Sequence, residues 1–205
     1  MKVVQLFSRL ILTIFGWKLQ SNIPNHAKYI IIGAPHTSNW DFPLTLLTLS
    51  SLGLRFSWVA KHTLFTGPAG SILKSIGGIP VNRKSRVGFV GAMVENYHNR
   101  DKLIIAIAPE GTRSKTDHWK GGFYQIATQA NVPLSLGFID YKTKTLGLGK
   151  TLPLTGNVAN DFSAIKDFYK NVEGKYPGQQ SDICLREKEI KLLNKTMSVK
   201  KENLI

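Results

Sequence analysis

Residues Lys28–Leu54 read KYIIIGAPHTSNWDFPLTLLTLSSLGL, and the fold turns on how this stretch is divided. Tyr29 to Ile32 is a short, uninterrupted apolar run rich in isoleucine, the pattern of a strand buried on both faces. Gly33-Ala34-Pro35 ends it. From Asp41 to Leu54 the chain is apolar again, but for the length of a helix. Strand, polar turn and helix in that order are one step of an α/β alternation.

Read outward, the same alternation continues. RFSWVA (55–60) is expected as a second strand, GPAGSILKSIGG (67–78) as a short helix and IPVN (79–82) as a brief strand. SRVGFVGAMVENYHN (85–99) places Val87, Val90, Val94 and Tyr97 on one helical face. KLIIAIA (102–108) is a third buried strand, followed by the polar loop PEGTRSKTDHWKGG (109–122). FYQIATQA (123–130) reads as helix, VPLSLGFID (132–140) as strand, KTLGLGKTLPLTG (144–156) as a hairpin and NDFSAIKDFYKNV (160–172) as helix. The pattern predicts one α/β domain with a mixed, mostly parallel sheet flanked by helices. Its expected divisions are an N-terminal helix over 1–20, the main domain over 21–180 and a charged tail, helical or frayed, over 181–205.

Length and composition set bounds on function. The 205 residues suffice for one core, and 42% apolar with 10% aromatic residues exclude disorder. Against 13 acidic side chains stand 27 basic ones, a formal charge of +14 that calls for anionic partners: nucleic acid, an acidic membrane surface or phosphorylated substrates. A single cysteine, Cys184, excludes a disulfide framework and suits a reducing cytosol. The opening MKVVQLFSRLILTIFGWKLQ carries apolar residues at helical spacing, with Lys2, Arg9 and Lys18 placed to snorkel. It is interrupted too often to span a bilayer and precedes no cleavage site. A helix lying in the membrane interface fits it, as does one packed on the protein's own core; the chain's charge favours the membrane.

Three polar clusters follow predicted strands, PHTSNWD, NRKSR and PEGTRSK, and strands side by side bring all three to one rim, where open α/β sheets bind ligands. Within the first, His36 and Asp41 are five residues apart, about 140° around a regular helix. They touch only if His36 lies in the turn and Asp41 in the first helical turn, with Ser38 or Asn39 as the cap and Pro43 tolerated. The carboxylate then fixes one imidazole nitrogen and leaves the other as a base. Spacing alone leaves that open against a capping turn. In the third cluster Gly111 and Thr112 offer backbone N–H groups and Arg113 a fork suited to phosphate, while Glu110 suits holding an arginine or a substrate hydroxyl. Arg83 adds a second basic group. The remaining histidines lack ligand spacing, so no metal site is expected.

Taken together, these residues resemble the glycerolipid acyltransferase family that includes the 1-acyl-glycerol-3-phosphate acyltransferases. The likeness spans about Tyr29 to Asp140 in four ordered blocks, HTSNWD, GGIPVNR, PEGTRS and a weaker VPLSLGF, with AKHTLF resembling the segment between the first two. It implies His36 as general base with Asp41 as its orienting partner, and Arg83 on the acceptor's phosphate. Glu110, Gly111, Thr112 and Arg113 would shape the acceptor pocket, with Lys61 a further anion contact. It also implies an acyl thioester donor, acyl-CoA or acyl carrier protein, with no further cofactor. The acceptor would be a phosphorylated glycerol or lyso-lipid, in phospholipid biosynthesis. Direct transfer needs no nucleophile on the protein, so Cys184 is expected to be a bystander. The fourth block lacks a second proline and DYKTKTLGLGKTLPLTGN departs from the lysophosphatidate enzymes, so another lyso-lipid acceptor stays open. The expected place is the cytoplasmic face of a membrane, peripheral or monotopic. A basic nucleic-acid-binding domain is the alternative of another class, but no recognition signature supports it.

Overall fold

The computed structural model describes residues 2–81 and 86–202. Its centre is a seven-stranded sheet of order β1-β7-β6-β2-β5-β3-β4. The strands are β1 Lys18–Ser21, β2 Lys28–Gly33, β3 Ser57–Lys61, β4 Gly78–Val81, β5 Leu103–Ile107, β6 Leu134–Asp140 and β7 Thr145–Leu152. All neighbours pair parallel except β6 and β7, so β1 and β7 run against the other five. The mixed, mostly parallel α/β architecture is thus the one expected.

Among the described residues, seven α-helices pack around it: α1 Lys2–Ile14, α2 Asp41–Ser51, α3 Gly67–Ser75, α4 Arg86–His98, α5 Gly122–Ala130, α6 Val158–Tyr169 and α7 Glu187–Glu202. The continuous apolar run of β2 is explained by burial on both faces. Ile30 and Ile32, fully buried, meet α4, α5 and α6 in the main core, while Tyr29 and Ile31 meet Leu49 of α2 and Leu52 at its C-terminal cap on the other face. The C-terminal ends of β2, β3, β5 and β6 share one rim, which places the turn after each beside the others.

Three expectations need correcting. The N-terminal helix stops at Ile14, because Gly16 takes a left-handed φ of +74° and Trp17 N–H closes back on the Leu12 carbonyl; Lys18–Ser21 is then free to pair with β7. The predicted hairpin over 144–156 is instead a single strand, β7, turning back on β6. Its glycines sit inside the ladder because a Cβ on Gly147 would strike the Gln20 carbonyl, and one on Gly149 the Phe168 ring. The tail, expected helical or frayed, forms a helix over Glu187–Glu202, but it is not separate from the domain, since Leu185 and Leu193 are buried in the main core.

Helix α1 is amphipathic in an unusual sense. Ser8 and Leu12 are the residues it buries, and Arg9, expected to snorkel, is exposed and donates from Nε to the Ser51 carbonyl at 3.0 Å. That bond caps a carbonyl at the C-terminal end of α2. Val3, Leu6, Phe7, Leu10, Ile14 and Phe15 face outward, between 55% and 80% exposed. No helix among the described residues is long and apolar enough to cross a membrane.

Candidate active site

His36 lies three residues past β2, and Asp41 is the first residue of α2. The turn brings them together: His36 Nδ1 is 3.0 Å from Asp41 Oδ2. The same oxygen accepts the N–H groups of Thr37 and Ser38, each at 2.9 Å. Asp41 therefore ties down the turn ahead of the helix. Trp40 stands at the cap position without a side-chain bond, and Ser38, one of the expected caps, instead accepts the Trp40 N–H at 3.2 Å. Oδ1 accepts the Tyr141 hydroxyl at 2.7 Å. Burial pulls the Asp41 carboxyl upward, but the bonds from His36, Tyr141 and Ser38 outweigh it and hold it below the usual carboxylate range. With Nδ1 engaged, Nε2 is the ring nitrogen left to accept a proton.

The dyad borders a cavity of about 1280 Å³, larger than the roughly 300–1,000 Å³ common for small-ligand pockets. Its wall includes His36, Asp41, Lys61, Gly111, Thr112 and Arg113. Lys61 ends β3 and Arg113 follows β5; both are exposed, so cationic groups stand on the rim. Between α2 and the sheet the lining turns apolar, with Ile31, Leu49, Phe56 and Leu148, and Gly33 contributes open floor. A Cβ on Gly33 would meet nothing within 4 Å. Arg83 lies outside the described residues.

Three residues of the PEGTRS loop make contacts that the sequence does not suggest. Gly111 N–H is spent on the Ala108 carbonyl at 3.1 Å, in a turn whose left-handed φ of +67° at Gly111 favours glycine. Thr112 Oγ1 accepts from Ser114 N–H at 3.3 Å. Glu110, expected to shape the acceptor pocket, is 1% exposed and turns beneath the site. It accepts His36 N–H at 2.6 Å and the Ser181 hydroxyl at 2.7 Å. Burial raises its carboxyl above the ordinary value, against the downward pull of those bonds. Its observed contacts brace the His36 backbone.

Sequence reading missed Tyr141 and Ser181. Neither belongs to a motif, and each reaches its partner across the fold, 100 and 71 positions away. Cys184 is absent from the cavity wall; its thiol donates to the Asp117 carbonyl at 3.2 Å, and burial pushes it up.

Comparison with known proteins fits this arrangement. Residues 17–135 match the family model described as Acyltransferase, which is more than half of the chain. No curated protein matches significantly. Among solved structures, the chain is similar to the 1-acyl-sn-glycerophosphate (LPA) acyltransferase PlsC from Thermotoga maritima. The TM-score is 0.51 at 16% identity, covering 98% of this chain and 79% of that one, a likeness of fold. With a matched segment that takes in the His36–Asp41 turn, the Glu110 loop and five of the seven strands, the chain belongs to the Acyltransferase family, as an O-acyltransferase on this α/β fold.

Proposed function

We propose that the protein moves a fatty acyl group from an acyl thioester, acyl-CoA or acyl carrier protein, to a hydroxyl of a phosphorylated glycerol or lyso-lipid, for phospholipid synthesis. The observation that carries this reading is the His36–Asp41 pair at the edge of a cavity that is cationic on its rim and apolar within. His36 Nε2 takes the proton of the acceptor hydroxyl as its oxygen attacks the thioester carbonyl. Asp41 holds Nδ1–H and stabilises the imidazolium that forms. Collapse of the tetrahedral intermediate breaks the C–S bond, and the imidazolium returns the proton to the leaving thiolate. The new bond is an ester, and no cofactor beyond the donor is needed. Positioning both substrates supplies much of the remaining advantage.

The test is direct. Purified protein is given acyl-CoA or acyl–acyl carrier protein with glycerol 3-phosphate, lysophosphatidate or neutral lyso-lipids, and products are identified by mass spectrometry. Acylation of a phosphorylated acceptor is expected. Transfer confined to unphosphorylated acceptors would favour the other lyso-lipid reading, and thioester hydrolysis alone would end the proposal.

The apolar part of the cavity is assigned to the donor's acyl chain. Gly33→Val adds a side chain where the floor is open, so the preferred chain should shorten by several carbons while short-chain donors react at nearly the wild-type rate. Competition among donors of graded length measures this; an unchanged preference would place the chain elsewhere.

The outward face of α1 suits the interface of an anionic membrane, on its cytoplasmic side, with the protein peripheral or monotopic. Burying one large apolar side chain is worth about 1.5–3 kcal/mol. Phe7→Gln with Leu10→Gln should therefore weaken vesicle binding by roughly 100-fold or more, without unfolding, since both residues already face solvent. Flotation with phosphatidylglycerol vesicles checks it, and undiminished binding would remove α1 from the contact.

A further inference from the structure

The dyad has a third member. Tyr141 follows the last residue of β6, and its hydroxyl donates to Asp41 Oδ1 while His36, Thr37 and Ser38 occupy Oδ2. The carboxylate is thereby gripped by both oxygens, from the turn after β2 and from the end of β6. Burial, then the bond to Asp41, raises the Tyr141 phenol far above its ordinary value, so it remains a donor at working pH. The ring is itself held. Tyr141 N–H donates to the Glu173 carbonyl at 2.9 Å, and Trp17 packs against the phenol edge to face, centroids 5.3 Å apart at 84°. Trp17 N–H closes the end of α1 on the Leu12 carbonyl at 2.8 Å.

We infer that Tyr141 is a positioning residue for the His36–Asp41 pair, and that Trp17 fixes its ring, so that the geometry of the base depends on how α1 is seated. This rests on His36 acting as the general base. A phenol bonded to one carboxylate oxygen stops the group from turning and draws charge away from the other oxygen. The drawn charge weakens Asp41's hold on a proton at His36 and keeps Nε2 available as acceptor. Among the described residues, the other titratable groups around the pair are Glu110, from the loop after β5, Tyr176, from the segment after α6, which acts on the Tyr141 phenol, and Lys61 and Arg113 on the shared cavity wall.

Tyr141→Phe deletes the donor and keeps the ring. With lysophosphatidate in phosphatidylglycerol vesicles and a saturating acyl donor, kcat should fall roughly 10-fold with KM little changed. The acid limb of the kcat/KM profile should move up by about half a pH unit, because Asp41 then favours a protonated His36 more strongly. The ring C–H signals of His36 in NMR, assigned by their loss in His36→Ala, should titrate with a midpoint moved the same way. Trp17→Ala should shift both readouts in that direction by less, and Trp17→Phe should restore them; thermal melts verify folding. An unshifted limb and midpoint in Tyr141→Phe, beside an inactive His36→Ala, would overturn the positioning role alone. Full activity in folded His36→Ala would remove the base and this inference with it. A shift in Tyr141→Phe that Trp17→Ala does not share would sever the link to α1.

Discussion

His36→Ala is expected to lower kcat by ~10²–10⁴-fold, the usual loss when a positioned base is removed. The fold should survive. Asp41 keeps the Thr37 and Ser38 N–H groups and the Tyr141 hydroxyl, so no buried carboxylate is left bare, and Glu110 still receives the backbone N–H of residue 36. Single-turnover assays with a saturating acyl donor measure the chemical step, and a thermal melt verifies the protein. A folded variant that transfers acyl groups at near wild-type rate would refute general-base catalysis by this residue. Asp41→Asn should be milder in rate if the ring still reaches the acceptor. It should be harsher in stability, because the amide offers its carbonyl oxygen and an NH₂ where the carboxylate gathers four donors.

Arg113→Ala should cost roughly 10–100-fold in kcat/KM with a phosphorylated acceptor, since one charge-assisted bond to an anion is worth about 1.5–3 kcal/mol. The guanidinium stands on the cavity rim and makes no ion pair among the described residues. The Arg83→Ala variant belongs in the same experiment. Thioester hydrolysis by water supplies the contrast, because no acceptor phosphate takes part in it. Loss in transfer with hydrolysis preserved assigns the arginines to the acceptor. Equal loss in both reactions assigns them to the donor or the fold.

The parts legible in the sequence are those whose cause is local. Three isoleucines ending in Gly-Ala-Pro could only be a buried strand meeting a turn, and β2 is where that strand lies. His36 and Asp41 were legible because one turn sets their distance. What was hidden depends on distant chain. KLQS has no strand pattern of its own and reads as the end of the helix preceding it; it becomes β1 by pairing with residues Thr145–Leu148. Gly147 and Gly149 looked like turn formers, but their role is to let Gln20 and Phe168 come close. Glu110 looked like a pocket residue because its motif neighbours are; the inward rotation follows from Ser181, a partner from the expected tail. Tyr141 had no local signal at all.

The pairing of β1 with β7 has a consequence for synthesis. β1 leaves the ribosome early, yet its partner, in register Lys18↔Thr145, emerges roughly 130 residues later. At about 5–20 residues per second the interval is on the order of ten seconds. Throughout it, α1 can rest on α2, its main neighbour, but Leu12 lacks Ile139 and Leu146, which complete its burial. This edge of the sheet therefore closes late, with Trp17 meeting Tyr141 only after most of the chain has been made.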